Sequence, residues 1–148
     1  MKLYAGIGSR ETPAAILQDM TAIAVLMDRN GWTLRSGAAI GADTAFERGA
    51  GPKEIFTART NIPEWAFEQA ERFHPAWHRC SDYAKRLHAR NSLILFGLDG
   101  HSPVQHIICW TPGGAITGGT GQALRIAHHF HIPVRNLATK PFTNAEAL

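Results

Sequence analysis

Glycine recurs with serine, threonine and arginine in three short segments of the 148-residue chain, and these are the groups that hold an anion. The first segment is Gly6-Ile7-Gly8-Ser9-Arg10. The second runs from Ser36 and Gly37 through Gly41 to Asp43. The third is Thr111-Pro112-Gly113-Gly114 together with Gly118-Gly119-Thr120-Gly121. Lacking a side chain, glycine lets backbone amides approach a phosphate closely, and a following helix adds the favourable end of its dipole. Arg10 offers a forked cation that suits a phosphate, and Ser9, Ser36 and Thr120 offer hydroxyls. Three or four charge-assisted hydrogen bonds of ~1.5–3 kcal/mol each suffice for micromolar capture. Asp43, just inside a helix start, either caps that helix or contacts a ribose hydroxyl. A single glycine turn is often only a tight connection between strand and helix; three in one short chain favour a ligand.

The elements that must carry these loops follow from periodicity and punctuation. Lys2–Ile7 reads as a short buried strand. Pro13 opens a helix whose apolar residues Ile16, Leu17, Met20, Ile23, Ala24 and Met27 recur at helical spacing, and Asn30-Gly31 ends it. Trp32–Arg35 is a second strand, Gly41–Gly49 a second helix and Glu54–Thr57 a weaker third strand. Helical periodicity returns over Pro63–Phe73 and, with Ser81 as N-cap, over Ser81–Leu95. Val104–Trp110 is a strand, Gln122–Phe130 a helix and Ile132–Leu137 a final edge strand; the tail after Thr139 is expected to fray. Strand and helix alternate throughout, which predicts one α/β domain over residues 1–148, a Rossmann-like parallel sheet with helices on both faces. In such sheets ligands lie at the carboxyl ends of the strands, where the three glycine segments fall.

Composition removes several classes. The chain is 45% hydrophobic and 18% charged, an ordinary globular balance, and no run approaches the ~18 apolar residues of a membrane span. A start at MKLYAGIG is too soon broken by glycine for a signal peptide, so a cytoplasmic location without a membrane partner is expected. The net charge of +3 suits phosphate ligands without a basic block that marks a nucleic-acid arm. Cys80 and Cys109 are far apart and form no CxxC. Among eight histidines, His74 and His78 are separated by Pro75, and the cluster His128, His129 and His131 has no companion cysteine or carboxylate at a suitable spacing. No metal site and no cofactor is expected. The chain has neither a full GxGxxG nor a Walker lysine motif, which disfavours dinucleotide dehydrogenases and P-loop NTPases.

The segments YAGIGSRETP, RSGAAIGADTAFERGA, ARNSLILFG and CWTPGGAITGGTGQALRIAHHFHIPVRNL, over about residues 3–137, resemble the SLOG superfamily. This is a Rossmann-like group that includes the DNA-processing protein DprA (Smf) and, more distantly here, the LOG phosphoribohydrolases. GSR, SGxAxGAD and the Arg90-Asn91 pair resemble the DprA-like branch, including its small stand-alone phage and prophage proteins. The resemblance adds Arg90 and Asn91 to the ligand cleft. LOG enzymes place a glutamate in PGGxGTxxE; the matching stretch here holds Gln122 and Ala123, neither of which can act as acid, base or charge stabiliser.

The expected function is therefore binding without catalysis of a nucleotide or nucleotide-derived signal, cyclic or ADP-ribose-like, as a receptor or as a sponge in phage counter-defence. The expected ligand contacts are Gly8, Ser9, Arg10, Ser36, Gly37, Asp43, Arg90, Asn91, Gly118, Gly119 and Thr120. Two other activities stand beside it: DprA-like binding of single-stranded DNA in recombination, and LOG-like hydrolysis with Asp43 or Glu47 in place of the missing glutamate. Against DNA, aromatic and basic residues do not interleave, and Trp32, Trp65, Trp77 and Trp110 suit core packing. The resemblance also implies a homo-oligomer, with the Ser81–Leu95 helix as the candidate face, through which Arg86 or Arg90 would reach a neighbouring ligand.

Overall fold

The computed structural model describes residues 1–143, 145 and 146. Five parallel strands, β1 (Lys2–Gly6), β2 (Trp32–Ser36), β3 (Lys53–Ile55), β4 (His106–Cys109) and β5 (Val134–Asn136), form one sheet in the order β3-β2-β1-β4-β5. Five helices connect and cover them: α1 (Ala14–Arg29), α2 (Ala42–Gly49), α3 (Glu64–Phe73), α4 (Asp82–Phe96) and α5 (Gly118–His129). This is the expected Rossmann-like α/β fold.

The pleat of the central strands sorts the core into two layers. Leu3, Ala5 and Ile7 with Ile107 and Cys109 pack against Ile94–Phe96 of α4 and Ala123, Leu124, Ile126 and Ala127 of α5. On the other face Tyr4, Leu34 and Ile108 meet Met20, Ile23 and Ala24 of α1 and Ala42, Ala45 and Phe46 of α2. Alternation within single strands therefore places α1 and α2 on one side of the sheet and α4 and α5 on the other. A third cluster joins Ile62, Ala66 and Ala70 to Ala89 and Leu93 of α4, with Trp65 and Trp77 against it. Trp32 and Trp110 flank the α1/α2 layer, so all four tryptophans pack as expected.

Local signals end the elements where they were anticipated. Gly31 takes φ +83° after α1, a conformation that costs a residue with a side chain. Ser81 Oγ accepts from the Ala84 amide at 3.1 Å and caps α4.

Two expectations need correction. α5 begins at Gly118 rather than Gln122, so Gly118–Gly121 form its first turn. The tail after Thr139 is held rather than frayed where it is described. Phe142 packs against the α1/α2 layer, and both Arg135 terminal nitrogens donate to the Glu146 carboxylate at 2.6 and 2.8 Å. Asn144, Ala147 and Leu148 lie outside the described residues. Among the described residues no helix is long and apolar enough to cross a membrane.

Candidate functional site

The sheet order changes direction at β1, whose neighbours β2 and β4 lead away to opposite edges. In open α/β sheets the binding crevice lies at the carboxyl ends of the strands beside such a switch. All three glycine segments leave strands at this edge.

The loop after β1 is laid along the loop after β4. Ile7 and Ser9 donate their amides to the carbonyls of Ile108 and Trp110 at 3.2 and 3.0 Å. Ser9 is thus fixed through its backbone, and its Oγ accepts from the Glu11 amide at 3.0 Å. Gly8 lies so close to α2 that an added Cβ would stand 2.6 Å from that of Ala42. Glycine is required there by space. Among the described residues the amide of Gly8 has no protein acceptor, nor do those of Ala42 and Asp43, the first two of α2, as is common at a helix start. Arg10 is exposed and makes no hydrogen bond or ion pair among those residues.

Ser36 is fully buried, and its hydroxyl donates to the Gly6 carbonyl at 2.6 Å, closing the ends of β1 and β2 together. That contact spends its donor within the protein. Past it, the chain turns through Ala38, which takes φ +60°. Asp43 holds this turn: its Oδ2 accepts from the amides of Gly37 and Ala39, both at 3.2 Å. Oδ1 has no protein donor among the described residues. Burial pushes the Asp43 carboxyl up to about 6, with Arg90 and the two amides pulling the other way. Capping the turn is therefore one role of Asp43, and an oxygen is left over for a hydroxyl.

Arg90 and Asn91 join the two sides of the crevice. Arg90 Nη1 donates to the Gly37 carbonyl at 2.9 Å and to the Phe56 carbonyl at 3.3 Å, and its Nε donates to Asn91 Oδ1 at 3.1 Å. Asn91 Nδ2 in turn donates to the Gly119 carbonyl at 3.1 Å. One dipeptide of α4 thus spans from the loop after β2 to the first turn of α5. There the amides of Gly118, Gly119 and Thr120 have no protein acceptor among the described residues, and the Thr120 hydroxyl makes no hydrogen bond. Burial lowers the affinity of Arg90 for its proton, and nearby Asp43 and Tyr83 partly restore it.

Gly37, Asp43, Arg90, Asn91 and Gly119 therefore belong to one hydrogen-bonded network, with Gly8, Ser9, Ser36, Gly118 and Thr120 at the same sheet edge. Tyr83 was not anticipated. It is exposed, seven residues before Arg90 on the same side of α4, and close enough to influence it. Helical spacing alone, with Tyr83, Leu87 and Arg90 in line, is the signal that could have found it. Gln122 points elsewhere: its Nε2 donates to the Ala70 carbonyl at 2.9 Å and its Oε1 accepts from Arg125 at 2.7 Å. Ala123 is in the core. The half of α4 from Ala89 onward is covered by this chain's own layers, leaving Ser81, Asp82 and Tyr83 as its exposed turn.

Compared with protein-family models, with curated proteins and with solved structures, the chain matches none of them.

Two hollows lie away from the three loops. One, of about 310 Å³, is formed by α1, Trp32, His106, Arg135 and the tail; the other, of about 670 Å³, lies between Arg35, Glu54, Phe56 and Leu98. The arginine in each is already paired with a carboxylate, Arg135 with Glu146 and Arg35 with Glu54, so neither offers the unspent cation that Arg10 gives the crevice.

Proposed function

We propose that the crevice at the carboxyl ends of β1, β2 and β4 binds a nucleotide or nucleotide-derived signal through its phosphates and releases it unchanged. The observation that carries this reading is the span made by Arg90 and Asn91. It fixes two groups of unpaired amides at one sheet edge, Gly8, Ala42 and Asp43 on one side and Gly118, Gly119 and Thr120 on the other. Two separated cradles suit a ligand with two phosphates, cyclic or ADP-ribose-like. Arg10 supplies mobile charge and Asp43 Oδ1 takes a sugar hydroxyl.

Release without turnover is supported by α5. Both residues at the position where LOG enzymes carry a glutamate are turned into the protein, Gln122 onto Ala70 and Arg125 and Ala123 into the core. The DNA reading loses support because the four tryptophans pack against the cores. In this reading the protein acts as a sponge, lowering the free concentration of a defence signal on behalf of a phage.

The test is to mix purified protein with nucleotides, NAD-derived cyclic signals and a short DNA strand, then follow each free ligand by chromatography before and after heat denaturation. A small ligand that disappears and returns intact is the expected result. Recovery of base and sugar phosphate, or depletion of the DNA alone, would overturn it.

A further inference from the structure

Pro75 separates the histidines around it in sequence, yet the connection from α3 to α4 folds back and assembles a different set. His74 is the residue that ends α3, Cys80 follows the short 3-10 turn Trp77–Arg79, and His88 lies two turns into α4. One ligand atom from each lies within 4.8 Å of the others. Cys80 Sγ is 3.7 Å from His74 Nε2, and the two imidazole centroids are 4.5 Å apart.

We propose that His74, Cys80 and His88 form a binding site for a divalent transition-metal cation of the zinc class. Zinc bonds of ~2.0–2.1 Å to nitrogen and ~2.3 Å to sulfur, at a tetrahedral angle, require an N···S separation of about 3.6 Å. The Cys80–His74 pair already stands within a tenth or so of that. Two imidazoles and a thiolate select a borderline-soft ion over magnesium or calcium, and three protein ligands leave a fourth position for water. His88 supplies the second observation. Its Nδ1 is buried without a hydrogen-bond partner among the described residues, the condition of a polar atom whose partner is a ligand rather than the protein. Burial, His74, Arg125 and Arg90 together hold the ring down to about 4, which leaves it neutral near pH 7.

Two features set the strength of the site. His74 Nδ1 accepts from the Ala76 amide at 3.0 Å. A neutral ring that gives its Nε2 lone pair to a cation carries its proton on Nδ1, so this amide must let go as the cation binds. Arg125, next to both rings, opposes a dication, and the Cys80 thiolate is the one negative charge within the cluster. The affinity is therefore below that of cysteine-rich zinc sites, and the cation staples the α3–α4 connection to the helix that bears Arg90 and Asn91. None of this depends on what the glycine crevice binds.

The full chain, freed of metal by a chelator, is titrated with Co²⁺. The expected result is saturation at one equivalent, a thiolate-to-cobalt charge-transfer band in the near ultraviolet, displacement by Zn²⁺ and quenching of Trp77, whose ring is 6.2 Å from that of His74. Cys80→Ser is half-buried and tolerable for the fold, and it is expected to remove the band and weaken binding by more than the roughly 10–100-fold that loss of an outer-shell partner costs. His88→Gln is expected to weaken binding by at least as much with unchanged circular dichroism. A folded wild-type chain that gives no saturable band overturns the proposal, as does a band that survives in Cys80→Ser.

Discussion

Arg90 donates a hydrogen bond to the carbonyl of Gly37 and also fills the space that a side chain on Gly37 would need. A methyl group there would meet the guanidinium and would stand 2.9 Å from Asp43 Oδ2. Gly37→Ala is expected to displace Arg90 and to cost about 1–3 kcal/mol, the usual range for overpacking a filled site. Urea denaturation measures the loss. A variant with an unchanged midpoint would mean that Arg90 is free to move aside.

Asp43 gives the chain a stability that depends on pH. Burial pushes its carboxyl up to about 6 in the folded chain, from the ordinary value of 3.8. Between those values the folded state holds the proton more tightly, so stability falls as pH rises through the window and is level above it. The shift corresponds to a loss on the order of 2–3 kcal/mol. Asp43→Asn keeps an oxygen for the Gly37 and Ala39 amides and is expected to lack this slope. Unfolding free energies of both proteins across the window give the difference; parallel curves would place the titration elsewhere.

Restoring a carboxylate on α5 is expected to harm the protein without creating a hydrolase. Gln122→Glu loses one of the two donors to the Ala70 carbonyl, which keeps the His74 amide, and turns a buried carboxylate oxygen against that carbonyl, a cost of about 1–3 kcal/mol. The variant should melt earlier and still return nucleotides intact after heating. Release of free base by Gln122→Glu would show that residue 122 can reach the crevice.

Arg10 stands outside the fixed network, so its removal should affect ligand and not fold. Arg10→Ala is expected to weaken capture by more than ~1 kcal/mol while leaving the unfolding midpoint unchanged. Equilibrium dialysis against the ligand found by the heat-release test reads this directly. Equal affinity would move the anion site to the other amides.

The fold was legible because strong local signals agree with the packing. Leu3, Ala5 and Ile7 alternate with Tyr4 in β1, and Pro13 and Gly31 bracket α1. The start of α5 was not, because glycine disfavours helices on its own. At Gly121 an added Cβ would stand 2.8 Å from the Ile116 backbone, so glycine is required inside the helix by a demand of packing that composition does not express. Within the site, Gly37, Asp43, Arg90, Asn91 and Gly119 were all named from the chain, but the bonds that unite them join residues up to 53 positions apart. Ser36 illustrates the limit: residue type suggested a ligand contact, and only the position of Gly6 reveals where its hydroxyl goes. His74, Cys80 and His88 escaped notice because the turn after Pro75, not helical spacing, brings them together.

The dipeptide Arg90-Asn91 touches the loop after β2 with one residue and the start of α5 with the next. During synthesis, a chain emerged only as far as Phe96 already holds Gly37 and Arg90 but has nothing for Asn91 to grasp. The second jaw arrives with the last third of the sequence, when β4 and α5 close the sheet. Copies cut short before α5 thus lack one wall of the crevice.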